Sequence, residues 1–149
     1  MSTHFQVYFF AEAEKTSLTY QSGSYILLKL HTGVQVKKFT DVMKALSDPN
    51  RVRIVKMLQH RTMCVCELQA GLSISQPTVS KHLKILEGAG LVGFKKDGLW
   101  VDYFLSDGSE SPYAGALLGN LRRWLEDDEA VSRLIRKLPS IRREDICKK

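Results

Sequence analysis

Two thiols one residue apart, Cys64-Val65-Cys66, are the groups in this 149-residue chain best suited to chemistry. Thiolates are soft donors that suit soft or thiophilic centres, whereas magnesium or calcium would want oxygens. The pair is expected at the head of a short helix, and within a regular helix residues two apart are turned about 200° from each other. Both sulfurs can then grip one atom only if the first turn of that helix is distorted. A helix N-terminus with Arg61 close by lowers a thiol's pKa and favours the thiolate. A third cysteine, Cys147, lies in a basic tail from Ile141 to Lys149 that is expected to be mobile. It is read as a bystander, with two alternatives left open: it reaches in as a third ligand, or an oxygen ligand completes the site. Free cysteine also serves as a small buried hydrophobe. Three cysteines make an odd set, and with no secretory signal at the N-terminus a disulfide framework is not expected.

The thiols share a motif with a second set of side chains. Apolar residues recur at helical spacing on both sides of Gly71 to Ile74, so Thr62 to Leu86 reads as two short helices, a helix-turn-helix. Ser75 caps the second helix and Pro77 sits in its first turn. Val79, Leu83 and Leu86 commit one face to a core, leaving Gln76, Thr78, Ser80, Lys81, His82 and Lys84 mostly outside. With Ser75 these are short hydrogen-bonding groups and cations, the types that meet base edges and phosphates when a helix lies in a major groove of double-stranded DNA. Gln76 suits an adenine, and Lys81 a guanine or a phosphate. Any one of them could instead bond to its own helix, and His82 could be a surface bystander.

After Gly88 and Gly90, two strand-like runs, Leu91 to Lys96 and Leu99 to Leu105, meet at Asp97-Gly98, a strong hairpin signal. Helix-turn-helix followed by hairpin is a winged helix, so the expected fold is mainly α with a β-hairpin wing. Lys95 and Lys96 would sit at the wing tip, where they either touch phosphates or protect an edge strand. The formal charge of +6 favours a polyanionic partner, and its placement agrees: from Ser75 to Lys96 four lysines face the single acid Glu87.

Other elements must hold these in place. From Val36 a helical pattern puts Phe39, Val42, Met43 and Leu46 on one face, ending before Ser47-Asp48-Pro49. Asp48 caps the next helix, in which Val52, Val55 and Leu58 face inward and Arg51, Arg53 and Lys56 form a solvated face. Ser111-Pro112 starts a post-wing helix whose stripe of Leu117, Leu121, Trp124 and Leu125 is too apolar to leave in water. A homodimer is expected through this helix and the first, with Phe39, Val42, Leu117, Leu121 and Trp124 in the interface. A further helix is expected from about Asp128 to Leu138. Residues 1–35 carry no motif, though Phe5 to Phe10 and Ser24 to Leu30 are strand-like around a Ser22-Gly23 turn. The expected organisation is an extension over 1–35, the winged-helix and dimerisation domain over 36–127, and a C-terminal helix and basic tail over 128–149. The apolar runs are far shorter than a bilayer span and no secretory signal opens the chain, which points to the cytoplasm and away from a membrane partner.

The matching pieces Ala45 to Leu58 (ALSDPNRVRIVKML), Cys64 to Leu68 (CVCEL), Ser75 to Val92 (SQPTVSKHLKILEGAGLV) and Asp97 to Ser106 (DGLWVDYFLS) together resemble the ArsR/SmtB metalloregulatory repressors over roughly Phe39 to Leu125. That resemblance implies a homodimeric winged-helix repressor, not an enzyme, which leaves its operator when an inducer binds. CVCEL is similar to the arsenite site of the arsenical-resistance repressors, implying arsenite or antimonite as inducer and no permanent cofactor. Gln69 departs from those relatives that carry a third cysteine there. No cysteine precedes Cys64, and no His lies between Ser111 and Leu125, which weakens cadmium, lead and zinc. Three other readings remain: a redox or other thiophilic-metal switch at the same cysteines, a protein-binding module, and a thiol oxidoreductase. The last fits poorly, because Cys-x-x-Cys near a βαβ pattern is missing.

Overall fold

The computed structural model describes residues 22–147, with side chains from Val34 onward. Val34–Lys149 forms one compact unit, and the packing described below is that unit's. Its elements are α1 (Ser22–Ala45), α2 (Pro49–Leu58), β1 (Met63–Cys64), α3 (Val65–Leu72), α4 (Gln76–Gly88), β2 (Val92–Asp97), β3 (Trp100–Leu105), α5 (Pro112–Leu121), α6 (Glu129–Lys137), a 3-10 turn (Leu138–Ser140) and α7 (Arg143–Ile146). This is a mainly helical winged helix-turn-helix. Among the described residues no helix is long and apolar enough to cross a membrane.

Ser24 to Leu30, expected as a strand, is helical backbone within α1. A short apolar run has no period of its own to separate strand from helix, and here it continues into the helical pattern that follows. The other expected strand, Phe5 to Phe10, lies outside the described residues.

Local chemistry sets the helix starts. Asp48 accepts hydrogen bonds from the amides of Asn50 and Arg51 at 2.9 and 3.1 Å, and Pro49 occupies the first turn of α2. Ser75, Ser111 and Asp128 cap α4, α5 and α6 in the same way. The cations of α2 are not the solvated face the sequence suggests. Arg51 donates to the carbonyls of Ala45 and Lys44 at the end of α1. Lys56 is only 3% exposed, and its ammonium donates to the carbonyls of Leu121 and Trp124 at 2.9 and 3.0 Å. A buried ammonium needs acceptors, and helix-end carbonyls that lack amide partners supply them.

The wing is a three-stranded antiparallel sheet of order β1-β3-β2. Asp97 pairs with Trp100, so the two-residue loop is Gly98-Leu99, one residue later than expected. Gly98 carries a φ of 58° and Leu99 has no positive φ, the arrangement of a mirror-type turn with glycine at its first central position. The third strand, β1, is two residues long and places Cys64 opposite Asp102. Val79, Leu83 and Leu86 of α4 pack into a core with Ile54 and Met57 of α2, Leu68 of α3 and Leu118 of α5.

The tail expected to be mobile is docked as far as Cys147. Ile141 is 4% exposed and belongs to the core, beside Gly71 of α3, whose bare Cα makes room for the Met57 side chain there. Burying such a side chain contributes about 1.5–3 kcal/mol towards ordering the segment, to which the charge pairs of the residues that follow add.

Candidate functional site

The first turn of α3 decides where the thiols go. Cys64 is the N-cap of the helix, with φ −83° and ψ 170°, and not a member of it. Its extended backbone is fixed by pairing with β3 on one side and by a capping box with Glu67 on the other. The Glu67 carboxylate accepts from the Cys64 amide at 2.8 Å. Cys66, the second residue of α3, is half-buried. Cys147 follows α7 and lies with its sulfur 3.7 Å from that of Cys64. The three Sγ atoms all lie within 4.8 Å of one another, and no other cluster of this kind occurs among the described residues.

Three expectations change at this point. The 200° separation applies only to two residues inside a helix; with Cys64 at the cap, its sulfur and that of Cys66 converge while α3 stays regular. Cys147 lies beside the pair and not on a free tail, because the docking of Ile141 brings its segment back to the head of α3. The third correction concerns protonation. Burial pushes the Cys64 thiol up, helped by the charge of Glu67, and a hydrogen bond from the Glu67 amide only partly offsets this. Burial and then the two neighbouring thiols push Cys147 up to about 12. The free site therefore holds Cys64 and Cys147 as neutral thiols. Arg61, expected to favour a thiolate, is spent elsewhere: it donates to Glu67 at 2.9 Å and to the carbonyl of Ile141 at 2.6 Å.

Sequence reasoning missed Glu67, Asp102 and Arg143. Glu67 is 2% exposed, Asp102 is 6% exposed, and Arg143 bridges them, bonded to Asp102 and 3.7 Å from Glu67 Oε2. The guanidinium also lies 5.9 Å from the ring centroid of Trp100, within cation–π reach. A Cys-x-x-Glu step ahead of an apolar run is the capping-box pattern with sulfur in place of a hydroxyl, and was the available signal for Glu67.

On α4, Gln76, Ser80, Lys81 and Lys84 are exposed together on one side. Ser75 and Thr78 are engaged with each other, their hydroxyls 2.7 Å apart. His82 is turned inward. Its side chain is 12% exposed with Nδ1 4.0 Å from Asp48, and that nitrogen is sealed from solvent without a hydrogen bond. Lys95 and Lys96 are exposed on β2, opposite Asp102 and Val101, while the tip itself is Gly98 and the 75% exposed Leu99.

The five side chains expected at a dimer interface part company. Val42 and Leu121, at 1% and 5% exposure, are spent on the chain's own core, which the apolar stripe could equally serve. Leu117 is half-buried against that core. Phe39, edge-on to Tyr113 at 5.4 Å, and Trp124 keep 42% and 50% of their surface in solvent.

Residues 48–93 match the family described as bacterial regulatory protein, arsR family. An uncharacterized HTH-type transcriptional regulator of Methanocaldococcus jannaschii is 42% identical over 72 residues, 48% of this chain and 81% of that protein. The arsenical resistance operon repressor of Escherichia coli is 35% identical over 100 residues, 65% of this chain and 81% of the relative. Among solved structures, reduced HlyU from Vibrio cholerae superimposes with a TM-score of 0.52 at 31% identity, covering 62% of this chain and 94% of that one.

The raised Cys147 thiol has a consequence for stability. The unfolded thiol loses its proton near 9.0 and the folded one only near 12, so the contribution is complete below pH 9 and is lost as the pH climbs towards 12. The melting temperature of Cys147→Ala should therefore fall less across that window than that of the unaltered chain. Parallel pH profiles would show that Cys147 is not held protonated by the fold.

Proposed function

The chain belongs to the arsR family of regulatory proteins, and from that premise we propose that it is released from its operator when arsenite, or the related antimonite, is captured by Cys64, Cys66 and Cys147. The family is one of homodimeric DNA-binding transcriptional repressors, not enzymes. What carries the metalloid reading is the convergence of three thiol sulfurs within 4.8 Å of one another around one point. The relatives support it, since the Escherichia coli protein is an arsenical resistance operon repressor.

Three soft donors with no fourth beside them among the described residues suit a trivalent, thiophilic centre better than a four-coordinate zinc. The nearby carboxylates of Glu67 and Asp102 are already taken by guanidinium groups. Protonation points the same way. Arsenous acid exchanges each of its three hydroxyls for a thiol: an As–S bond forms, the As–O and S–H bonds break, and water leaves with the thiol proton. Nothing is oxidised, and no net proton is released. A divalent cation must instead expel the protons that burial retains, so its affinity suffers where that of arsenous acid does not.

Capture biases the repressor only if it favours the released form over the DNA-competent one. A physical route exists in the sheet, where Cys64 pairs with Asp102 and Asp102 with Lys95 of the wing. Another runs through α3, which packs directly on α4. For DNA, Gln76, Ser80, Lys81 and Lys84 are the side chains α4 presents to a major groove, with Ser75 and Thr78 organising its start. Lys95 and Lys96 supply phosphate contacts from the wing. His82, packed towards Asp48, is given no role in reading.

A second reading has its own observation. The 3.7 Å approach of Cys64 and Cys147 favours a disulfide switch, in which peroxide takes two electrons from the pair and leaves as water. Operator titrations separate the two. Arsenite should release the unaltered dimer under reducing conditions, and Cys64→Ser or Cys66→Ser should abolish release while DNA binding survives. Release by peroxide but not by arsenite would transfer the site to the redox reading. In the same titrations Gln76→Ala should change sequence preference, by about 1–3 kcal/mol at one base pair. Lys95→Ala should weaken all sequences and reduce the salt slope by about one. Equal, sequence-blind losses for both variants would remove α4 from the groove.

A further inference from the structure

Beyond the buried Ile141, the segment that carries Cys147 has little of its own to hold it. α7 is four residues long, has no buried residue, and its N-cap, Arg142, makes no side-chain cap. A single turn of this kind is not stable alone. Yet the amide of Cys147 donates to the carbonyl of Arg143 at 2.8 Å, so the cysteine moves with the arginine. The Arg143 side chain is in turn the best anchored of the segment: bonded to Asp102 on β3, 3.7 Å from Glu67 on α3, and stacked near Trp100. Asp102 has no other cation paired with it among the described residues, and a carboxylate this buried demands one. The pairing is thus strongly favoured, and it decides where the following turn lies.

We propose that Arg143 is a positioning residue, a latch between Asp102 of the wing sheet and Glu67 of α3 that carries Cys147 to the Cys64/Cys66 pair and so makes the inducer site three-coordinate. The inference deepens the metalloid reading and rests on it. It assigns the C-terminal segment a place in the sensor and couples that place to the wing, because the same Asp102 that receives Arg143 is the register partner of both Cys64 and Lys95. It also accounts for the charge arrangement. Two buried carboxylates beside three thiols would otherwise be free to act as ligands or proton acceptors; Arg61 and Arg143 pair with them and leave the sulfurs as the reactive groups.

The test uses the full chain with sodium arsenite, read by X-ray absorption at the arsenic edge and by binding titration. The unaltered protein should show three sulfurs around arsenic. Arg143→Ala should show two sulfurs and one oxygen, with arsenite affinity down about 10–100-fold, the usual effect of losing a group that orients a ligand. Arg143→Lys should recover part of the affinity, since an ammonium meets one carboxylate but lacks the planar fork for two. Cys147→Ser should match Arg143→Ala, and the double variant should be no weaker than Cys147→Ser alone, because both remove the same third sulfur. Asp102→Asn, nearly isosteric, repeats the loss without deleting the arginine and guards against a variant that fails to fold. Three sulfurs and unchanged affinity in both Arg143→Ala and Asp102→Asn would overturn the latch while leaving the metalloid reading intact. Two sulfurs in the unaltered protein would overturn the latch and, with it, Cys147 as a ligand of the proposed three-thiol site, leaving only capture by Cys64 and Cys66. Arsenic without any sulfur neighbour would overturn the latch together with the reading beneath it.

Discussion

A buried carboxylate, Glu67, sits where β1 turns into α3, and the surrounding structure is arranged to satisfy it. Left unpaired, a charge at 2% exposure would cost several kcal/mol. The Cys64 amide, Arg61 and Arg143 converge on it, and each partner brings a different part of the chain. The amide brings β1 and holds Cys64 at the helix cap. Arg61 brings the Ile141 carbonyl, and Arg143 brings α7 and Cys147. One desolvated charge thus gathers three segments, and the thiol cluster is what their meeting creates.

That arrangement separates two kinds of work in the domain. The proposed reading surface of α4 is local: a cap at Ser75, a proline in the first turn, and an alternation of buried Val79, Leu83 and Leu86 with exposed polar groups. The proposed sensor is non-local, built from three segments that close on one another through charge pairs. They meet at the wing sheet, where the row Cys64, Asp102, Lys95 crosses all three strands. A change at the sulfurs is therefore separated by a single strand, β3, from Lys95, the cation we propose for the DNA backbone.

What the sequence made legible follows the same division. Helix starts at Asp48-Pro49, Ser75 and Ser111-Pro112 could be read because capping is decided within a few residues. The hairpin was legible through Gly98, although the turn lies one residue later than Asp97-Gly98, since glycine and not the aspartate takes the left-handed position. The helix from Glu129 was visible in its period. The placement of Cys147 was not, because its contact with Cys64 spans 83 residues and depends on Ile141 being buried in the core. Lys56 was misread for a related reason: a lone lysine on a helix looks solvated until the end of α5 supplies carbonyls for it. A two-residue strand such as β1 has no pattern to detect, and without it Cys64 seemed to lie inside the helix rather than at its cap.

The central claim is that the thiophile is captured by sulfurs already gathered, with α3 intact and the C-terminal segment closing over them. Amide hydrogen exchange on the DNA-free protein, with and without arsenite, addresses this directly. Amides of Val65–Leu72 should keep their protection, while exchange in residues 141–147 slows. Faster exchange across Val65–Leu72 on arsenite addition would show instead that capture unwinds the helix, and would contradict a site assembled in place.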